Sequence, residues 1–425
     1  MTLATRSPDP FPPVVEVGAP VYWRVVSILV LLAFINIAAR VCLSAFKPDM
    51  TRELGLSEQQ FGFVFGAFSL GYAAVMVPSG YLADRYGPRR FLTWSVVALS
   101  VFTACTGLFS GVAALVSVRF LFGAAEAGTF PAANRALRTW VPMRHRGLAL
   151  GLLNTGSRMG AAVGLSGAAF TAIAVGWRAA LMLFGAAGVL WAAFWYATYQ
   201  DNPPGQAAPA PSRSVAGPQL SPPAKWSAFL SSSNFYLVIL QYFACNFTIF
   251  LCFSWLLPYM KTRFGLTAAR AGVYASLPFY CGAAAAYTGG FIVDALYKRG
   301  HWTLSRRFPA MFGLGLSAVC VAVLPFMPGT ATFLVCVCLA AFAADLTLSP
   351  SWTVCSDIGG SSTATISGAM NTVGSLGGFA SAVAFPYFLG LTGRVNAFCY
   401  VAALLNVAAA VCWTRIDPRT KLGGT

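Results

Sequence analysis

The segment GYLADRYGPRR, residues 80–90, has a weaker counterpart later in the chain, GFIVDALYKRG at residues 290–300. In both segments a glycine is followed four residues later by an aspartate and then by two adjacent basic residues. A second echo links GLLNTGSRMG at 151–160 to GAMNTVGSLG at 368–377, through the shared pattern G-x-x-N-T-x-x-x-x-G. Two independent echoes at similar offsets indicate that the chain is built from two related halves.

Long apolar stretches surround these segments. Of the 425 residues, 57% are hydrophobic and only 9% are charged, whereas soluble domains carry about 25% charged residues. Stretches of about 20 apolar residues can cross a bilayer as helices, and the alternating pattern of a barrel strand is missing. The sequence therefore predicts an all-α integral membrane protein. The twelve predicted spans lie at about 21–43, 58–82, 91–112, 114–137, 147–173, 177–200, 233–260, 268–295, 308–327, 330–356, 362–391 and 394–415.

A proline-rich segment, residues 201–226, divides the predicted spans into six and six. Its seven prolines among Ala, Ser, Gly and Gln are typical of a flexible, disordered linker. Parallel six-helix repeats of this kind are found in secondary transporters that rock two bundles about a central site. The expected order is a cytoplasmic tail (1–20), a six-helix bundle (21–200), the linker, a second six-helix bundle (227–416) and a cytoplasmic tail (417–425).

The basic residues are unevenly distributed between the predicted spans. The chain carries 28 Lys and Arg against 12 Asp and Glu, for a formal net charge of +16. With both termini inside, eighteen of the 28 fall in tails and inner loops, seven in outer loops and three within predicted helices. This asymmetry follows the positive-inside rule and predicts cytoplasmic termini in the cell (inner or plasma) membrane. A nucleic-acid-binding protein would carry a continuous basic face on a soluble surface, so we expect no nucleic-acid partner.

Motifs that would indicate an enzyme or a cofactor site are missing. The sequence contains no H-E-x-x-H, G-x-S-x-G or phosphate-loop motif, and its eleven cysteines form no C-x-x-C pair. The cysteines are expected to act as small hydrophobic residues in helix packing. The first twenty residues lack the apolar core of a signal peptide, so the first span is expected to be an uncleaved anchor. We therefore expect no enzyme activity, no cofactor and no metal, and a chain that works as a monomer.

At GYLADRYGPRR the chain resembles the major facilitator superfamily, whose inner loop between helices 2 and 3 carries this pattern. In that family the acidic residue bridges the two bundles at the cytoplasmic side and latches the outward-open state. The resemblance implies a cytoplasmic gate with Asp294 as its weaker counterpart in the second half. The implied gate residues of the first half are Asp84, Arg85, Arg89 and Arg90.

A narrower resemblance covers nearly the whole chain. The matching segments are RVCLS (40–44), RFLFGAAEAGTFPAANRALRTWVP (119–142), FSWLLPYM (253–260), and SPSWTVCSDIGG followed by SGAMNTVGSLGG (349–378). They resemble the anion:cation symporter family, which includes proton-coupled transporters of sugar acids and other carboxylates. The resemblance implies an organic anion held by Arg40 and Arg119, with Glu126 as a proton site.

The chain departs from this family in its first span. Bacterial members commonly carry Asp immediately before the first arginine, where this chain has Ala39. The asparagine two residues after that arginine is replaced by Cys42. A second proton-binding carboxylate is therefore missing from this position, which leaves the proton stoichiometry and the direction of coupling open.

Five charged residues lie deep within predicted spans: Arg40, Arg119, Arg158, Glu126 and Asp345. Arg119 and Glu126 are two helical turns apart, about 10.5 Å along the axis, so they share a face but do not easily pair directly. We expect Glu126 to meet Arg40 across the contact of spans 1 and 4, or to share both arginines through water. The alternative is that these charges form buried packing pairs. Arg158 is more easily explained as structural, and Asp345 as either a structural residue or a second proton site.

The expected chemistry is an exchange of counter-ions. A planar guanidinium binds a carboxylate in bidentate fashion, and the contact is worth more in a poorly hydrated cavity than at a surface. Protonation of Glu126 would free the arginines, a substrate carboxylate would take its place, and the neutralised site would reorient. Substrate and proton would then each favour the binding of the other.

Polar neutral residues near the middle of the predicted spans would contact the rest of the substrate. Several hydroxyl and amide groups suit a polyhydroxylated acid better than a fatty or aromatic one. Trp255 is a further candidate for an apolar wall. The candidates for substrate binding, chosen by motif position, are Tyr72, Gln241, Asn246, Trp352, Ser356 and Asn371.

Two other transport functions compete with symport. One is a proton-driven exporter, or antiporter, of the same superfamily; such proteins carry a Gly-Pro pair in helix 5. Here Gly160 is followed by Ala161, and no proline occurs between Gly147 and Gly176, which favours symport. The other is an uncoupled anion uniporter, and a non-transporting sensor is a further alternative; Ala39 is the strongest argument for both.

Overall fold

The computed structural model describes residues 19–141, 143–201, 229–359 and 363–420. Within these ranges the chain is almost entirely helical and has no β-strand, as the all-α prediction requires. The predicted N-terminal tail and the linker fall almost wholly outside the described residues. The helices are α1 (Ala19–Leu54), α2 (Glu58–Thr106), α3 (Val112–Glu126), α4 (Thr129–Trp140), α5 (Met143–Thr198), α6 (Ser233–Ser254), α7 (Leu256–Phe264), α8 (Ala268–Lys298), α9 (Trp302–Val323), α10 (Thr330–Asp345), α11 (Leu348–Gly359), α12 (Thr363–Thr392) and α13 (Asn396–Arg415), with a 3₁₀ turn at Leu324–Phe326.

Nine helical stretches of the described chain are long and apolar enough to cross a membrane, judged by length and composition. Two helices are too long for one crossing, since α2 has 49 residues and α5 has 56. Unbroken, they would measure about 74 and 84 Å, more than twice the ~30 Å hydrocarbon core. Both are interrupted at a glycine with positive φ, Gly87 (78°) and Gly176 (79°), a conformation that glycine adopts at little cost.

Three predicted spans are broken where the sequence analysis treated them as continuous. The breaks lie between α3 and α4, between α6 and α7, and between α10 and α11. In each case the third residue of the second helix is a proline, which has no N–H and clashes with the carbonyl four residues earlier. The prolines are Pro131, Pro258 and Pro350. After the second break, the freed carbonyl of Ser254 accepts a hydrogen bond from the Ser44 hydroxyl at 2.8 Å.

The three larger clusters of buried hydrophobic residues are one core that both halves share and two cores that belong to one half each. A fourth, small cluster of the first half consists of Ala39, Phe68, Leu99 and Phe122. The shared core lies at the end of the molecule that carries the α1–α2 turn, here called the far end, and includes Phe46, Phe65, Trp255 and Phe385. The opposite end, where the chain crosses between the halves, is here called the linker end. The first-half core there includes Leu29, Leu92 and Trp195, and the second-half core includes Phe229, Ile358 and Trp413. Hydrophobic packing therefore joins the halves at the far end.

Candidate functional site

Arg40 on α1 and Glu126 at the end of α3 form an ion pair. Arg40 Nη1 lies 3.8 Å from Glu126 Oε1, and the Arg40 side chain is 16% exposed. This confirms the expected contact between these two residues. At 3.8 Å the groups attract each other without a hydrogen bond, so the pair is loose.

Three aromatic rings surround the Arg40 guanidinium. Its Cζ atom lies 4.1 Å from the ring centroid of Phe68, 4.9 Å from that of Phe250 and 5.2 Å from that of Phe253. Phe68 is on α2, whereas Phe250 and Phe253 are on α6 of the second half, so Arg40 lies where the halves meet. Cation–π contacts stabilise the charge without occupying its N–H groups. These rings were not predicted from the sequence, although Phe253 begins the quoted segment FSWLLPYM.

Arg119 lies behind Arg40 and is 2% exposed. Its Nη2 donates to the backbone carbonyl of Arg40 at 3.3 Å, and its Cζ lies 4.5 Å from the Phe122 ring. Its Nε and Nη1, and Oε2 of Glu126, have no hydrogen-bond partner among the described residues. Burying a guanidinium with unpaired N–H donors costs free energy. The buried charge of Arg119 therefore needs an anion nearby. Because the Arg119 side chain is almost completely buried, a substrate cannot contact it directly in this conformation, although the family resemblance implies such a contact.

Tyr72 and Asn371 bring α2 and α12 together beside this pair. The Tyr72 hydroxyl lies close to the Asn371 side chain and within electrostatic range of Glu126 and Arg40. Asn371 also lies across the halves from Met76, with its Nδ2 3.9 Å from the sulfur. These two predicted residues are therefore close to the charged site.

Asn246 and Trp352 lie on the second-half side. Asn246 Nδ2 donates to the carbonyl of Tyr242 at 2.9 Å, and the Trp352 ring makes an edge contact with Tyr242 at 6.5 Å. Trp352 is 40% exposed. Both side chains thus group around Tyr242, which the sequence analysis did not select.

Gln241 has a different environment from the other candidates. It is fully buried, its Nε2 donates to Val238 O at 3.0 Å and Ser351 Oγ at 3.2 Å, and its Oε1 accepts from Trp413 Nε1 at 3.2 Å. Its polar atoms are occupied within the second-half core, so the structure does not bring it to the Arg40 site. Ser356 lies on α11, but its side chain is outside the described part of the structure.

Arg158 and Asp345 form a second ion pair that the sequence analysis did not predict. Arg158 Nη2 donates to Asp345 Oδ1 at 2.7 Å. Arg158 is on α5 of the first half and Asp345 ends α10 of the second half, so this pair connects the halves. The pairing could not be predicted from the sequence, because the two residues are 187 positions apart and meet only through the tertiary fold.

The predicted gate residues lie at the linker end. Arg89 donates from Nε and Nη2 to the Tyr196 carbonyl at 3.0 and 2.7 Å, and its backbone N–H donates to Asp201 at 2.9 Å. These bonds hold Arg89 within the first half. Arg85, Arg90 and Asp294 are exposed, and the side chain of Asp84 is not among those described.

Trp255, predicted as an apolar wall, instead closes the far end. It is 1% exposed, and its indole N–H donates to Ala382 O at 3.0 Å. Its ring meets Phe65 of the first half edge-on at 5.2 Å, with Lys47 Nζ 5.3 Å from its centroid.

Comparisons with known proteins identify similar sequences along most of the chain. The family model described as Major Facilitator Superfamily matches residues 29–382. The probable sulfoacetate transporter SauU of Cupriavidus necator is 29% identical, with 91% of each chain covered. The hexuronate transporter of Bacillus subtilis is 28% identical, with 84% of this chain and 82% of the relative covered. The probable galactarate/D-glucarate transporter GudP of Escherichia coli is 28% identical, with 91% of each chain covered.

A solved structure has a fold similar to that of this chain. The crystal structure of a bacterial homologue of the human lysosomal transporter Spinster, inward-facing and occupied, superposes with a TM-score of 0.74. The match covers 94% of this chain and 97% of that one at 18% sequence identity. The two chains therefore share a fold.

Proposed function

The chain belongs to the Major Facilitator Superfamily, and from this premise we propose that it moves a small organic anion, a carboxylate of the sugar-acid kind, across the cell membrane in symport with protons. Relatives are named as transporters of sulfoacetate, hexuronate and galactarate or D-glucarate, which are all organic anions. The chain is a transporter and not an enzyme.

The proposed architecture has twelve spans in two bundles of six, with both termini and the linker in the cytoplasm. The sequence echoes between residues 80–90 and 290–300 support two equivalent halves. The breaks at Gly87 and Gly176 divide each of the two longest helices into a pair of spans. The separate cores at the linker end support alternating access, because two bodies packed together mainly at one end can rock apart at the other.

The observation that supports this proposal most strongly is that the Arg40 guanidinium is largely buried without a hydrogen-bond acceptor among the described residues. It lies deep in the helices with partial exposure. A guanidinium has five N–H donors in a fork that fits a carboxylate. Burying an arginine at membrane depth costs free energy, and arginines in such positions are typical of substrate and ion pathways. A substrate carboxylate is the group that satisfies these donors.

Glu126 couples this binding to protons. The titratable groups that face it are Arg40 on α1, Tyr72 on α2 and Arg119 on α3, so its carboxylate is the counter-ion of both arginines. A proton on Glu126 removes that counter-ion, and the substrate carboxylate replaces it. Proton and substrate binding then favour each other. Arg119 is a positioning residue that stabilises the site from behind.

The neutral part of the substrate is proposed to contact Tyr72, Asn371, Asn246 and Trp352, which group around Arg40 and Tyr242. The exposed gate residues Arg85, Arg90 and Asp294 are proposed to pair across the halves when the linker end closes, with Asp84 and Arg89 in the same gate.

The test is uptake into proteoliposomes with an imposed pH gradient, using radiolabelled sulfoacetate, glucuronate and D-glucarate as probes. The wild type is expected to accumulate at least one of them above its external concentration. Glu126→Gln is expected to lose gradient-driven accumulation at least tenfold and to keep counterflow exchange, because the neutral side chain mimics the protonated state. Glu53→Gln, which removes an exposed partner of Arg178 at 3.0 Å, is the matched carboxylate control and is expected to accumulate substrate normally.

The same assay separates the alternative functions. An uncoupled uniporter would equilibrate the anion without accumulation, and a proton-driven exporter would accumulate it only with the gradient reversed. Unchanged gradient-driven accumulation by Glu126→Gln would remove Glu126 from the coupling mechanism.

A further inference from the structure

Glu126 and Asp345 occupy equivalent positions in the two halves. Each is the last residue of its helix, α3 and α10, and each is followed five residues later by the proline that breaks the span, in EAGTFP (126–131) and DLTLSP (345–350). Their separation of 219 residues is close to the 217 that separate the two G-x-x-N-T segments. Because a helix ends in partial negative charge, a carboxylate there needs a cation or a proton beside it.

Asp345 has its own arginine, as Glu126 does. The Arg158–Asp345 contact is 2.7 Å, and the two side chains are 15% and 4% exposed. Among the described residues this is the one acceptor of Arg158, so four of its five N–H groups have no protein partner. Removing two charges from water is costly, and apolar side chains of similar size often fill such a site with equal stability. Stability alone therefore does not explain the pair.

A glycine leaves room beside this pair. A Cβ atom on Gly282 of α8 would lie 2.2 Å from Asp345 Oδ2 and 3.9 Å from Arg158 Cζ. Any larger residue would displace the Asp345 carboxylate. The absent side chain leaves the space that the Asp345 carboxylate occupies beside Arg158.

The second pair lies within electrostatic range of the first. Arg158 interacts electrostatically with Arg40, and Tyr242 interacts electrostatically with both Arg158 and Tyr72. The titratable groups that face Asp345 are Arg158 on α5 and the thiols of Cys245 and Cys252 on α6. α8 presents Gly282 to it.

Charge balance indicates what two such pairs bind. Three arginines and two carboxylates give the unloaded site a net charge of +1. When one acidic group of a substrate binds together with one proton, the net charge of the site does not change. The net charge is also unchanged when two acidic groups bind together with two protons. Keeping the net charge constant avoids the cost of carrying extra charge through the bilayer.

We propose that Arg158 and Asp345 form a second anion subsite, and that the transported molecule is a dianion whose two acidic groups are held by Arg40 and Arg158. Asp345 accepts a proton when it releases Arg158, so two protons accompany each dianion. This inference rests on the proposed function and specifies its substrate class.

The test compares two acids that differ in one terminal group: D-glucarate, a dianion, and D-gluconate, in which one carboxylate is a hydroxymethyl group. Succinate and butyrate form a second pair without hydroxyl groups. The wild type in proteoliposomes is expected to take up the dianion of at least one pair with a kcat/KM at least tenfold above that of its monoanion. The double variant Arg158→Gln/Asp345→Asn is expected to reduce this preference to less than twofold.

The matched control neutralises another buried ion pair. Arg306 Nε lies 2.8 Å from Asp357 Oδ2 within the second half, so Arg306→Gln/Asp357→Asn removes the same charges elsewhere. It is expected to retain the tenfold preference. In the wild type, dianion uptake with two protons is electroneutral, so an imposed potassium diffusion potential is expected to change its rate less than twofold. In Asp345→Asn the potential is expected to change the rate at least fivefold.

Several results would overturn the inference. The first is equal uptake of dianion and monoanion by the wild type, and the second is a preference for the dianion that persists in the double variant. The third is wild-type dianion uptake that responds to the membrane potential. The fourth is loss of all uptake in a double variant that is monodisperse and has an unchanged melting temperature. Uptake of monoanions alone would contradict this inference but leave the proposed function intact, whereas no uptake of any organic anion would contradict both.

Discussion

At the scale of single residues, the arginine–carboxylate contacts differ in a way that matters for transport. Arg158–Asp345 and Arg306–Asp357 are hydrogen-bonded at 2.7 and 2.8 Å, whereas Arg40–Glu126 is separated by 3.8 Å. A charge-assisted hydrogen bond is shorter and stronger than a contact at 3.8 Å. Arg40 therefore loses least when its partner is replaced by a substrate.

Arg40→Lys tests whether the guanidinium fork is needed as well as the charge. Lysine keeps the positive charge but binds as a point charge without the bidentate geometry. Loss of one charge-assisted hydrogen bond costs about 1.5–3 kcal/mol, so we expect KM for the transported anion to rise about 10- to 100-fold. Uptake kinetics in proteoliposomes measure this.

Arg119→Lys is the matched comparison for that substitution. Arg119 is buried behind Arg40 and donates to its backbone carbonyl, so we expect a lower melting temperature and less than a threefold change in KM. An equal rise of KM in both variants would mean that both guanidinium groups touch the substrate.

At the scale of the helices, prolines and glycines determine how the spans pack. Prolines at the third position of α4, α7 and α11 end the preceding helix, which places Glu126 and Asp345 at helix ends near the middle of their spans. Glycines on α5 let it approach α1 closely, since a Cβ on Gly160 would lie 2.3 Å from the carbonyl oxygen of Phe34. Small residues at such contacts are typical of helix packing in membranes.

Gly160→Ala should therefore disturb the contact of α1 and α5. Forcing a methyl group into a close-packed contact costs about 1–3 kcal/mol, and we expect a lower thermal unfolding midpoint for the purified protein in detergent. Gly167→Ala, on the same helix, is the control because nothing lies within 4 Å of its added Cβ. It should leave the midpoint unchanged or raise it, since alanine favours the helix by about 1 kcal/mol. Equal losses in both variants would contradict the close approach at Gly160.

At the scale of the whole molecule, contacts between the halves are strongest at the far end. The Ser44–Ser254 hydrogen bond and the Phe65–Trp255 ring contact both cross the halves there. On the opposite side, the first-half and second-half cores are separate. If transport requires the far end to open, a covalent bond there should stop it.

The double variant Ala169→Cys/Gly272→Cys tests this requirement. The Ala169 Cβ and a Cβ built on Gly272 are 2.7 Å apart across α5 and α8, so a disulfide with its usual Cβ separation of about 3.5–4.5 Å needs a shift of about 1 Å. We expect oxidation to reduce uptake at least tenfold and reduction to restore it. Both single variants are needed as controls because the chain has eleven native cysteines. Normal uptake by the cross-linked protein would show that the far end need not open.

Much of this protein follows from the sequence because it depends on local chemistry. Apolar length predicted the helical class, and the two-turn spacing of Arg119 and Glu126 indicated that Glu126 would meet Arg40 instead. The breaks in three spans also have a local cause that is visible in the sequence, namely Pro131, Pro258 and Pro350. A proline acts on the carbonyl four residues before it, so its effect needs no tertiary information.

Only the tertiary structure decided which distant residues meet. The pairing of Arg158 with Asp345, the aromatic rings around Arg40 and the internal bonding of Gln241 all depend on how helices from the two halves pack. Helix periodicity fixes which residues share a face, but it carries no information about the partner of that face. Side-chain contacts between elements are set by close packing of the whole bundle, and that is a property of the folded molecule.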